Sequence, residues 1–112
     1  MKEINMKEWE NLYNTVKSRK TERIENSYTN YLFDKGKEKI LKKIGEESSE
    51  VIIAAMQSDK REIINELCDL IYHLQVLMVN ENIELTEIED ELQKRSIKTG
   101  NLKSERKPVE NI

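Results

Sequence analysis

The sequence has one proline, three glycines and one cysteine among its 112 residues, and aromatic side chains make up only 5% of it. So few backbone breakers and aromatics disfavour a fold of short strands and tight turns and favour helices. A single cysteine excludes a disulfide framework or a cysteine metal site within one chain. Cys68 lies in an apolar run and is expected to be a buried, inert thiol. No stretch approaches the roughly 20 apolar residues that span a bilayer. Residues 1–10 are charged and lack an apolar signal core, which makes the cytoplasm the expected location. Neither charge dominates, since 19 basic and 22 acidic residues leave a net charge of −3. No basic stripe is rich enough to argue for nucleic acid. A local run of lysines (Lys35, Lys37, Lys39, Lys42, Lys43) suits either a solvated helix face or a phosphate-bearing small molecule.

Helical periodicity is what remains. Hydrophobic residues are 37% of the chain, thin for a self-sufficient globule of this length, so helical faces are expected to be shared with a second copy. A first helix is predicted from about Asn5 to Lys20, with Trp9, Leu12 and Val16 at steps of three and four. Ser27-Tyr28-Thr29 precedes a short helical piece ending near Gly36, and a long helix follows to Gln57. Ser58 and Asp59 break the chain, and Asp59 with Glu62 forms a capping-box pattern for a helix to about Val79. Thr86 with Glu89 is a second such pattern, opening a last helix to about Arg95. The expected organisation is one all-α domain over residues 1–96 and a flexible tail over 97–112, which contains Gly100 and Pro108.

Chemistry is concentrated in Lys43-Ile44-Gly45-Glu46-Glu47-Ser48-Ser49-Glu50 and Glu66-Leu67-Cys68-Asp69. At about 100° per residue, Ile40, Ile44, Ser48, Val51, Ile52 and Ala55 form the core stripe of one helix, with Glu47 at its edge and Lys43 and Glu50 just beyond. Ile63, Leu67, Leu70, Ile71, Leu74 and Leu77 form the stripe of the next, with Glu66 and His73 at its edge and Asp69 further round. Folding the pair about the Ser58–Asp59 turn yields an antiparallel hairpin whose levels match. Glu50 faces Glu66, Glu47 faces Asp69, and Lys43 faces His73. Two unit charges 4 Å apart repel by about 4 kcal/mol at an effective dielectric of about 20, so four gathered carboxylates must hold protons or a cation. Oxygen-only ligands suit magnesium, with manganese the alternative, and such an ion orients polyphosphate and activates water. Lys43 and His73 are then candidates for the phosphate-facing end. Gly45, inside a helix at a cost of roughly 1 kcal/mol relative to Ala, either admits a close neighbour or is neutral.

A lone Glu-Glu-x-x-Glu is usually a solvated helix face; the matched second pair and the level-matching turn argue against that here. A di-iron bundle would use Glu-x-x-His on two helices, and this chain has one His, four residues after Asp69. A structural helical adaptor is the remaining reading from a different class.

Glu46-Glu47-x-x-Glu50 followed by Glu66-x-x-Asp69 resembles the signature of the all-α nucleotide pyrophosphohydrolases, the MazG-like superfamily. Within it, Ser27-Tyr28-Thr29, Gly36, Lys43-Ile44-Gly45-Glu46-Glu47 and Glu66-x-x-Asp69-Leu70-x-Tyr72-His73 resemble the phosphoribosyl-ATP pyrophosphatases of histidine biosynthesis, over about Trp9 to Arg95. The resemblance implies hydrolysis of phosphoribosyl-ATP to phosphoribosyl-AMP and pyrophosphate, with magnesium as cofactor. It implies a homodimer whose subunits complete a four-helix-type bundle. It also implies Glu47, Glu50, Glu66 and Asp69 as metal ligands, Glu46 beside them or orienting water, Lys43 on phosphate, and Ser27 and Tyr28 near the substrate. The same carboxylates would serve a house-cleaning (deoxy)nucleoside triphosphate pyrophosphohydrolase. Ser27-Tyr28-Thr29 and His73 favour phosphoribosyl-ATP. The sequence departs from a typical member after Arg95.

Overall fold

A computed structural model describes residues 7–97, and every regular element among them is a helix. The elements are α1 (Lys7–Ser18), α2 (Tyr28–Lys35), α3 (Lys37–Met56), α4 (Lys60–Asn80) and α5 (Leu85–Ser96). The start expected at Asn5 and the tail beyond Ile97 lie outside the described residues. The chain divides into two compact units, Met1–Asn82 and Ile83–Ile112. In the first, α3 and α4 form an antiparallel hairpin with the most extensive interface, α1 packs on α4, and α2 packs on α3 and more lightly on α4. Val16, Leu32, Ile40 and Val76 are fully buried at the meeting of these four helices. None of the described helices is long and apolar enough to cross a membrane.

Local chemistry sets the boundaries. Ser27 caps α2 by accepting the Asn30 N–H at 3.1 Å. Gly36, with φ 87° and ψ −172°, ends α2 and starts α3, and its N–H reaches the Leu32 carbonyl at 2.9 Å. Asp59 caps α4 through the Glu62 N–H at 3.2 Å, as its spacing predicts. The fifth helix starts earlier than its sequence suggests. Glu84, not Thr86, is the N-cap, and its N–H is held by Glu87 Oε2 at 2.8 Å. Threonine is the better cap by propensity, but a Glu three residues after the cap closes the same box from either start.

The buried faces differ from the predicted stripes. On α3, Ile40 and Ala54 are buried and Ile44, Glu47 and Val51 half-buried, whereas Ile52 is 63% exposed and Ala55 is exposed. On α4, His73, Gln75, Val76 and Val79 are buried, whereas Leu67 and Leu74 are each 40% exposed. Both stripes are turned toward the acidic flank. The reason is that each helix carries apolar residues on two faces, and α1 and α2 cover only one of them. Cys68, on the uncovered side, is exposed rather than buried. A Cβ at Gly45 would meet no atom within 4 Å among the described residues, so no neighbour within the chain requires glycine there.

Candidate active site

The α3–α4 hairpin brings the acidic residues together as their distances from the turn require. Carboxylate oxygens of Glu47, Glu66 and Asp69 lie within 4.8 Å of one another. Glu50 stands beside them, close enough to raise the carboxyls of both Glu66 and Glu47. Carboxylates this close repel one another, which favours the protonated form of at least one of them. The Glu66 carboxyl is accordingly pushed up to about 7, first by the neighbouring Glu50 side chain, then by loss of hydration and by the charges of Glu50, Asp69 and Glu47. Glu47 is also raised, mainly by burial and by Glu50 and Asp69, with His73 opposing.

Two oxygens of this cluster, Glu47 Oε2 and Glu66 Oε2, are buried and have no hydrogen-bond partner. Buried carboxylate oxygens are normally bonded, so these two are available to a ligand. The donor set fits a hard divalent cation: all oxygen, several carboxylates, two oxygens free. A small groove lined by Glu50, Ile53, Ala54, Gln57, Glu62 and Glu66 adjoins the cluster on its turn side.

On the other side stands a polar set built from α2, α3 and α4. His73 Nδ1 lies 2.8 Å from the Asp69 carbonyl, which can only accept. Nδ1 therefore carries a proton, and in the neutral ring Nε2 accepts from the Tyr28 hydroxyl 3.1 Å away. Both ring nitrogens are engaged, and neither is free for a metal. Lys43, expected at the level of His73, pairs with Glu46 at 3.3 Å. Tyr28 bonds His73, and its hydroxyl is raised by burial while Lys43 pulls it down. Glu46 is exposed and stands outside the carboxylate cluster.

Asn30, which the sequence did not single out, organises the approach to this set. Its side chain is buried. Nδ2 donates to the carbonyls of Arg19 at 2.8 Å and Glu22 at 3.0 Å, and Oδ1 accepts the Ile24 N–H at 2.9 Å. Three bonds close the α1–α2 loop over the start of α2, where Ser27 and Tyr28 sit. No periodic or motif signal marks such a residue, because its partners are backbone groups of a loop.

The family model described as phosphoribosyl-ATP pyrophosphohydrolase matches residues 9–96. The chain is 58% identical over 101 residues to a phosphoribosyl-ATP pyrophosphatase of Clostridium acetobutylicum, covering 90% of this chain and 92% of that one. It is 52% identical over 101 residues to a protein of the same name from Listeria monocytogenes, covering 90% and 96%. It is also 56% identical over 84 residues to a histidine biosynthesis bifunctional protein of Caldanaerobacter subterraneus, covering 75% of this chain and 41% of that one.

Proposed function

The chain belongs to the phosphoribosyl-ATP pyrophosphohydrolase family, and from that premise we propose that it hydrolyses phosphoribosyl-ATP to phosphoribosyl-AMP and pyrophosphate, a step of histidine biosynthesis in the cytoplasm. The observation that carries this reading is the cluster of Glu47, Glu50, Glu66 and Asp69 with its two buried, partnerless oxygens. These four carboxylates are the proposed ligands of magnesium, with manganese as the substitute. Held there, the ion would offset polyphosphate charge and make an attacking water more acidic.

The remaining groups act on the substrate around that centre. Lys43 presents a cation to the phosphates, and Glu46, 3.3 Å from its Nζ, holds it and orients the attacking water. His73 is locked in one tautomer by the Asp69 carbonyl, so its Nε2 fixes the Tyr28 hydroxyl beside the cleaved phosphates. Ser27 caps the helix that begins with Tyr28, which places both at the substrate. Ile52, Ile53 and Met56 on α3 and Leu67 and Leu74 on α4 remain exposed, and a homodimer that completes a helical bundle would cover them.

The test is pyrophosphate release from phosphoribosyl-ATP with and without magnesium. Glu47→Gln and Asp69→Asn are expected to stay folded and lose at least about 100-fold in kcat/KM. Turnover of dUTP or dCTP with none of phosphoribosyl-ATP would transfer the site to the house-cleaning enzymes. Full activity in both variants would remove the metal cluster from the reaction.

A further inference from the structure

Three of the four tyrosines gather together, and the hydroxyl of the central one, Tyr28, feels the charge of Glu47. The ring of Tyr28 stacks near Tyr31, with centroids 5.9 Å apart and planes at 23°, and near Tyr72 at 6.1 Å and 30°. Tyr72 meets His73 edge-on at 4.9 Å. Despite this packing, Tyr28 and Tyr31 are 42% and 39% exposed. Two lysines flank the outer ring: Lys35 Nζ is 5.8 Å and Lys39 Nζ 6.0 Å from the Tyr31 centroid.

This patch is continuous with the candidate site. Lys39, Lys43 and Glu47 follow at four-residue steps on α3 and so share one ridge, with Lys39 about 12 Å along the axis from Glu47. Charge changes sign along that ridge, from the carboxylates through Lys43 to Lys39, where open aromatic surface begins. A nucleoside triphosphate is anionic at one end only. Phosphoribosyl-ATP holds its base between two ribose phosphates, a triphosphate on one side and a phosphate monoester on the other. A site for it needs ring surface for the base and a cation well removed from the metal.

We propose that Tyr31 and Lys39 form a second subsite, in which Tyr31 stacks against the nucleobase and Lys39 holds the phosphate monoester on the uncleaved end. The inference rests on the phosphoribosyl-ATP reading above. Stacking on an exposed tyrosine is favourable for any base, so Tyr31 contributes affinity, and Lys39 contributes selection for the doubly phosphorylated substrate. The cation–π contact of Lys39 with an exposed ring is weak, and a phosphate readily takes its place.

The test uses the full chain with magnesium, following pyrophosphate release from phosphoribosyl-ATP, with ATP added as a competitive inhibitor. Lys39→Gln and Tyr31→Leu are each expected to raise KM about tenfold with kcat falling less than threefold. Tyr31→Phe keeps the ring and should restore KM to within twofold of wild type. Because ATP has no distal monoester, Lys39→Gln should leave its inhibition constant unchanged, while Tyr31→Leu should weaken it. Unchanged KM in both variants, or equal weakening of ATP and phosphoribosyl-ATP by Lys39→Gln, would overturn the subsite. Failure of the wild-type protein to cleave phosphoribosyl-ATP would instead overturn the underlying function, and the subsite with it.

Discussion

Glu66 is the residue whose charge depends most on what surrounds it. Its ordinary value of 4.5 is pushed to about 7 by Glu50 and the other carboxylates, and Glu47 moves in the same direction. A raised carboxyl means that the folded state binds protons that the unfolded state has released. Stability from this source is present in full below about pH 4.5 and is lost as pH rises to about 7. Thermal melts of the metal-free protein in EDTA should therefore show Tm falling across that window and levelling above it. Glu66→Gln should flatten the profile. Magnesium should reverse the trend, because the ion displaces the held proton and binds more tightly as pH rises. A metal-free Tm that rose between pH 4.5 and 7 would mean that the carboxylates do not sit together in solution.

At the scale of the element, the hairpin was the most legible part of the molecule. Pairing across a tight turn depends only on counting residues away from it, so the facing of Glu50 with Glu66 and Glu47 with Asp69 could be read from the sequence. The buried face could not. α3 and α4 are apolar on two sides, and which side faces α1 and α2 is decided by the whole packing arrangement, which also moved Cys68 and Leu67 outward. The spacing along the hairpin likewise does not reveal how Tyr28 enters from a separate helix to bond His73 and feel the charge of Lys43. Gly45 offers a prediction here. With open space around its missing Cβ, Gly45→Ala should stabilise α3 by about 1 kcal/mol, or about 4–8 °C in Tm for a domain of this size, read by circular dichroism. A rise in Tm accompanied by lost activity would show that substrate or a second copy needs the space.

At the scale of the whole molecule, the described residues carry much open apolar surface. Met56 is 82% exposed, Ile52 63% and Ile53 56%, and Ile53 also lines the groove beside the acidic cluster. A proposed homodimer through this face should bury on the order of 1,600 Å² in total if it is of ordinary size. The double substitution Ile53→Lys with Leu67→Lys should give a monomer in sedimentation velocity while keeping its helical spectrum, because both side chains are already outside the chain's own core. A wild-type protein that sediments as a monomer would show that no second copy covers the face.

Gly36 joins the helix that carries Tyr28 and Tyr31 to the helix that carries Lys39, Lys43 and Glu47. Its angles, φ 87° and ψ −172°, fall in a region that L side chains essentially never occupy. Reflected through the mirror, the same angles are those of ordinary extended chain. The joint is therefore an extended residue of the opposite hand. An L-alanine there would force α2 to leave α3 at a different angle, whereas a D-alanine introduced by chemical ligation would fit without strain. The alignment of the aromatic rings with the lysines thus depends on handedness at one carbon atom, which glycine satisfies only because it has none.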